Sequence, residues 1–348
     1  MDEFPLRRAL RSHAEFTHLR RGSRYASVHR MSDTASTDTI RPAVGFVGLG
    51  QQGAPMAANL AAAGYRLIVR DLDPEREQAF AAQHGGVACG ADVARLAAVD
   101  VVVTMLPNGH VVRDALLGEQ GIAAHLRPGT VIVDTSSSDP YGTRALGAEL
   151  ASSGLVLLDS PVTRPESVGT NTRRITFMVA GDDDAAIERV MPLLDAMAEQ
   201  VFRAGKLGGG HAMKTLNNYV SAAGLAAALD AMIAAERFGI DVETMLDVFN
   251  VGTARNFSTA NTLVQESMSR RYQAGFQLAL MVKDLRIAQS LFERVAFDAP
   301  LSRLVVEQFG GALNSIGGER ADLSRSLEDW ERRGEVQVPA PKAVAAGA

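Results

Sequence analysis

Cysteine is almost missing from this chain, with Cys89 the only one in 348 residues. A single thiol excludes an internal disulfide, a Cys-rich zinc site and a cysteine-held iron–sulfur cluster. That scarcity suits a reducing compartment, so a cytoplasmic protein is expected. Blocks of like charge are missing too, because 35 basic and 40 acidic residues are spread along the sequence for a net charge of -5. An acidic chain without a basic stripe is a poor partner for nucleic acid, and none is expected. Long apolar runs are the third absence. The stretches around Val101 and Leu225 meet Pro, Asn or acidic residues before the roughly 20 positions a bilayer requires, so no membrane partner is expected.

What is present is enough chain for two domains, at roughly 100 to 200 residues each. Residues 1–41 are rich in Arg, Ser, Thr and His without apolar periodicity. They read as a disordered extension, or as sequence upstream of a functional start at Met31; Asp2, Glu3 and Glu15 argue against a transit peptide. The Ala/Pro-rich segment 334–348 reads as a disordered tail.

From Ala43 a short apolar run, a glycine-rich turn, an Ala-rich helix from Pro55 to Ala63 and a second apolar run from Tyr65 to Val69 make a βαβ unit. Asp73-Pro74-Glu75 then supplies an N-cap, a first-turn proline and an acidic first turn for another helix. Further strands are expected from Val99 to Met105, Thr130 to Asp134, Val156 to Asp159 and Ile175 to Ala180. Strands alternating with helices give an α/β fold, a doubly wound and mostly parallel sheet covered on both faces. After Phe202 helical periodicity takes over to about Arg333. An all-helical C-terminal domain is expected, with a long helix from Met213 to Phe238, spanning on the order of 40 Å, to carry site residues at its start and bury its remainder.

Gly48-Leu49-Gly50-Gln51-Gln52-Gly53 is a GxGxxG turn after a strand and at the opening of a helix, where free N–H groups and the helix dipole can hold a pyrophosphate. Asp71 follows about 20 residues on, placed to accept from ribose hydroxyls and repel a 2′-phosphate, which favours NAD over NADP. It reads otherwise as the start of a turn with Asp73, with Arg70 available to a phosphate. Met105, Leu106, Pro107 and Asn108 leave the fourth strand at the carboxyl edge of the sheet. Ser136 and Ser137 lie at the same edge one strand later, for nicotinamide or substrate, although a serine-rich helix cap explains them equally well.

Three glycines, Gly208 to Gly210, precede Lys214, Asn217, Asn218 and Ser221. On a helix those four polar residues share one face. Alcohol oxidation needs a group to take the hydroxyl proton as hydride leaves, and aldehyde reduction needs it returned. A buried lysine can do both. Asn218, one turn on, can hold the substrate oxygen towards Lys214. Lys283 and Asp284 add a charged pair on a late helix, reading either as site residues or as a surface ion pair.

Taken as an ordered set, GLGQQGAPMAANL, TMLPN, VDTSSSDP, DSPVTR, GGGHAMKTLNN and MVKDL resemble the β-hydroxyacid dehydrogenase family, which includes 3-hydroxyisobutyrate dehydrogenase and tartronate semialdehyde reductase. The resemblance runs from about Ala43 to Glu328. It implies an NAD-binding Rossmann domain over 42–205 and a helical substrate and oligomerisation domain over 206–333, no metal, and a homodimer or homotetramer. It also implies Lys214 as catalytic acid or base, Asn218 as substrate-orienting, and Lys283 as a cofactor-side contact. One departure matters. Where most members have paired glycines, this chain has Thr163-Arg164-Pro165. With Asn217 and Ser221 facing it, Arg164 looks like the anion-binding arginine of the sulfolactaldehyde reductase branch, though a carboxylate would satisfy a guanidinium nearly as well as a sulfonate.

Overall fold

The computed structural model describes residues 41–163, 175–318 and 320–341. The expected N-terminal extension, Arg164 and the end of the expected tail lie outside the described residues. Six parallel strands form the main sheet in the order β3-β2-β1-β4-β5-β6. They are β1 (Val44–Val47), β2 (Leu67–Arg70), β3 (Val87–Ala88), β4 (Val101–Thr104), β5 (Val131–Asp134) and β6 (Val156–Asp159). Helices α1 (Gly53–Ala62), α2 (Pro74–His84), α3 (Gly109–Leu117) and α4 (Pro140–Ala151) connect them. Strands β1, β4 and β5 are buried at every position, as a sheet covered on both faces requires. The reversal of strand order falls between β1 and β4, and in such sheets ligands bind at the carboxyl ends beside that point.

The strand expected from Ile175 to Ala180 does form, but in a second sheet. Strands β7 (Val162–Thr163), β8 (Thr176–Val179) and β9 (Gln200–Arg203) pair in that order, β7 with β8 antiparallel and β8 with β9 parallel. An antiparallel bridge from Asp159 to Ala180 ties this sheet to the end of β6. Helix α5 (Asp184–Met197) packs with α1 over Phe46, Phe177 and Leu193.

Helix α6 (Gly209–Phe238) starts four residues before the expected boundary, where Gly208 has φ +85° and a Cβ would lie 2.6 Å from the Pro140 carbonyl oxygen. Only glycine fits there. The remaining elements are α7 (Val242–Val251), a π-helical segment (Ser258–Met268), α8 (Leu278–Arg294), α9 (Pro300–Ile316) and α10 (Ser326–Gly334). Contrary to the expectation of short apolar runs, α6 is long and apolar enough to cross a membrane by length and composition. Its apolar residues Leu225, Leu229 and Met232 are nevertheless buried in a core with Phe309 of α9 and Trp330 of α10, as in the central helix of a bundle. Past α10 the chain is irregular but not loose: Val338 is buried, its N–H donates to Glu331 and its carbonyl accepts from Arg270.

Candidate active site

The glycine turn between β1 and α1 separates packing from binding. Gly48 has φ +101°, and a Cβ there would sit 2.3 Å from the Met105 carbonyl oxygen; one on Gly53 would sit 1.9 Å from the Gly48 carbonyl oxygen. Both are needed to let the chain turn and the helix start close to the sheet. Gly50 is different, being exposed with nothing within 4 Å of an added Cβ. Beside it α1 follows the N-cap Gln52, which makes no side-chain cap, and the Ala54 N–H donates to the Gly50 carbonyl at 3.1 Å. Leu49 is buried, Gln51 exposed and Gln52 half-buried around this cradle. A dinucleotide pyrophosphate fits it.

The turn after β2 is equally ordered. Asp71 accepts from the N–H of Leu49 at 2.7 Å and of Asp73 at 3.0 Å, which aims the carboxylate and leaves lone pairs for hydroxyls. Arg70 is bound on its protein side. Its guanidinium donates to the buried Glu77 at 2.9 Å and to the Asp71 carbonyl at 2.9 Å. Glu77 also accepts from the N–H groups of Asp71 and Gly90, so one hidden carboxylate fixes this corner.

At the carboxyl edge, Asp134 closes β5 and organises both neighbouring loops. It accepts from the Thr104 hydroxyl at 2.8 Å, the Ser136 N–H at 3.0 Å and the Ser138 hydroxyl at 3.3 Å. Ser136 is buried, and its hydroxyl accepts from the Leu106 N–H at 2.9 Å. Met105 and Leu106 are half-buried and Pro107 is exposed, while Asn108 caps α3 by accepting from Val111. Asn108 thus carries a structural bond from the side chain that was expected to face the cofactor.

Helix α6 delivers the polar stripe, with differing exposure. Lys214 and Asn218 are buried, Ser221 is half-buried and Asn217 is exposed, its amide donating to Asn218 at 3.2 Å. Burial pushes the Lys214 ammonium below the usual lysine range; Asp284 opposes that shift and Lys283 adds to it. Among the described residues the ammonium makes no hydrogen bond, and it faces the Phe276 ring at 5.8 Å. Asn218 donates to Asp284 at 2.6 Å. Asp284 is buried rather than part of a surface pair, and its other oxygen lies 3.1 Å from Lys283. Lys283 in turn donates to the Ser137 carbonyl at 2.8 Å, joining α8 to the loop after β5.

The sequence reading missed three groups that hold this arrangement: Asp134, Asp159 and His211. Asp159 accepts from the N–H groups of Gly208 and His211, both at 2.7 Å, and so caps α6. A signal for the two aspartates was available, since each closes an otherwise apolar strand at the ligand-binding edge.

The chain matches two family models end to end: the NAD binding domain of 6-phosphogluconate dehydrogenase over residues 43–205, and the NAD-binding domain of NADP-dependent 3-hydroxyisobutyrate dehydrogenase over 208–328. An NAD-dependent L-serine dehydrogenase of Pseudomonas aeruginosa is 33% identical over 80% of this chain and 94% of its own length. The chain belongs to the β-hydroxyacid dehydrogenase family. A 3-sulfolactaldehyde reductase of Escherichia coli is 31% identical to this β-hydroxyacid dehydrogenase over 83% of the chain and 93% of its own length. A solved 3-hydroxyisobutyrate dehydrogenase of Mycobacterium tuberculosis, with L-serine, superposes with a TM-score of 0.75 at 29% identity, covering 83% of this chain and 99% of that one. The protein is an NAD(P)-binding oxidoreductase of a family that acts on small hydroxy acids.

Proposed function

We propose that the enzyme interconverts a small anionic 3-hydroxy acid and its aldehyde with NAD as cofactor and Lys214 as general acid and base. The observation that carries this reading is the Lys214 ammonium, buried, unpaired among the described residues and lowered towards working pH by desolvation. A bound nicotinamide supplies or accepts the hydride. In reduction, Lys214 gives a proton to the carbonyl oxygen as hydride reaches the carbon; in oxidation it takes that proton back. Asn218, held by Asp284, orients the same oxygen. Positioned proton transfer of this kind is worth about 10² to 10⁴ in rate.

NAD is favoured over NADP because Asp71 is fixed beside the glycine turn while Arg70 is occupied by Glu77. Arg76, the other nearby cation, is 3.1 Å from Asp73 and 3.9 Å from Asp71. For the substrate, Arg164 supplies the anion contact, assisted by Asn217, Ser221 and Ser137. The Thr163-Arg164-Pro165 sequence in place of paired glycines supports a sulfonate such as 3-sulfolactaldehyde. A carboxylate substrate of the 3-hydroxyisobutyrate, tartronate semialdehyde or L-serine type is the second reading, supported by relatives with the first and last of those activities at similar identity.

A panel of sulfonate, carboxylate and uncharged aldehydes, each run with NADH and NADPH, tests the substrate and cofactor assignments. We expect the sulfonate and NADH to have the highest kcat/KM. Equal activity on an uncharged aldehyde removes the role of Arg164, and preference for NADPH removes that of Asp71.

A further inference from the structure

Glu77 stands in the first turn of α2, a position usually open to water, yet it is buried. Three donors surround its carboxylate. The Arg70 guanidinium and the Asp71 N–H donate to Oε1, both at 2.9 Å, and the Gly90 N–H donates to Oε2 at 2.7 Å. They come from the end of β2, the turn after it and the loop after β3, so one side chain ties together three pieces of backbone. That loop is also held by the Cys89 N–H, which donates to the Val69 carbonyl at 2.8 Å. A buried carboxylate persists only when its lone pairs are filled, as these are. A neutral amide oxygen would serve a backbone N–H as well; the one partner that a charge matches is Arg70.

In dinucleotide-binding βαβ units an acidic residue at the end of the second strand accepts from the ribose 2′-hydroxyl, and a nearby arginine takes the 2′-phosphate where NADP binds. This chain has both residue types side by side, as Arg70 and Asp71. Both hydrogens of Arg70 Nη1 are engaged, one by Glu77 and one by the Asp71 carbonyl at 2.9 Å. The Arg70 side chain is 22% exposed against 1% for Glu77, so the guanidinium reaches the surface and the carboxylate does not. The other cation of this corner, Arg76, lies beside Asp73 and Asp71.

We propose that Glu77 is a specificity-determining residue of the cofactor site: by holding Arg70 it keeps a latent 2′-phosphate site shut, and by holding the Asp71 N–H it fixes the backbone that presents the ribose-binding carboxylate. It acts through these two neighbours and is a positioning residue. The proposal rests on the NAD reading and on the role given there to Asp71. With Glu77 in place, a 2′-phosphate meets the Asp71 carboxylate and a guanidinium that already has its counter-charge. With a neutral glutamine at 77, the amide oxygen still accepts from the backbone, whereas Arg70 loses its counter-charge and is free to turn to the surface, where a phosphate supplies a new one.

The test is the dissociation constant of NADH and of NADPH from the full chain, each read by fluorescence titration without substrate. The wild type is expected to bind NADH more tightly. Glu77→Gln is expected to move the affinity ratio towards NADPH by about tenfold, the weight of one charge-assisted hydrogen bond, and adding Arg70→Gln to return it to within about threefold of the wild type. A merely structural role for Glu77 lowers Tm and weakens both cofactors together, leaving the ratio unmoved. That result overturns the proposal, and so does a shift that persists without Arg70. If Glu77→Gln does not fold, Glu77→Asp, which keeps the charge but not the reach from Arg70 to Gly90, is expected to move the ratio the same way by about threefold. An unmoved ratio there overturns the proposal equally. Tighter NADH binding in the wild type with an unmoved ratio in the variants contradicts the role of Glu77 alone; tighter NADPH binding in the wild type contradicts the NAD reading and this proposal with it.

Discussion

Asn218 and Asp284, 66 residues apart in sequence, meet at 2.6 Å between α6 and α8, so the carboxamide expected to hold the substrate oxygen is itself held by a buried carboxylate. Asp284 acts on two neighbours at once. It orients Asn218, and its charge raises the Lys214 pKa against the lowering from burial.

Asp284→Asn separates these effects through pH. Removing the charge removes the one influence that raises Lys214, so its ammonium loses its proton at lower pH than in the wild type. In aldehyde reduction the acid form is required, and the alkaline limb of the pH–rate profile moves to lower pH; in alcohol oxidation the acidic limb moves the same way. The check is kcat against pH in both directions. An unmoved limb would detach Asp284 from the proton donor.

Gly50→Ala and Gly53→Ala are expected to fail differently. An alanine at 50 meets no protein atom within 4 Å but intrudes on the cradle, so KM for the cofactor rises with Tm nearly unchanged. An alanine at 53 collides with the Gly48 carbonyl oxygen at 1.9 Å, so stability falls, by about 1 to 3 kcal/mol on the scale of overpacked sites. Thermal melts beside cofactor titrations distinguish the two.

Asp71→Ala removes the carboxylate ordered by the Leu49 and Asp73 N–H groups. A charge-assisted hydrogen bond contributes about 1.5 to 3 kcal/mol, so kcat/KM for NADH is expected to drop by about ten- to a hundredfold, with NADPH affected less. Equal losses for the two cofactors would contradict the role given to Asp71.

Much of this site can be read in the sequence because its parts are local. The glycine turn, the Asp71 spacing and the Lys214–Ser221 stripe each lie within one or two elements, where periodicity and turn chemistry act. Pairings across the fold are another matter. Nothing in the alternation of β8 says that it joins a second sheet rather than the first, since strand pattern reports which faces are buried and not which strand is the neighbour. The same holds for Asp134, whose partners Thr104 and Ser138 come from a strand and a loop, and for Glu77, which is one more acidic residue of a helix until the fold buries it against Arg70. Asn108 shows the reverse case: its place at the sheet edge was legible, but the bond to Val111 that uses its side chain was not.

The account depends most on proton transfer by Lys214, and single-turnover reduction by Lys214→Ala with NADH prebound tests it most directly. The account predicts that NADH binds as in the wild type, by fluorescence titration, while the hydride-transfer step slows by about 10² to 10⁴. A hydride-transfer rate equal to that of the wild type would contradict it.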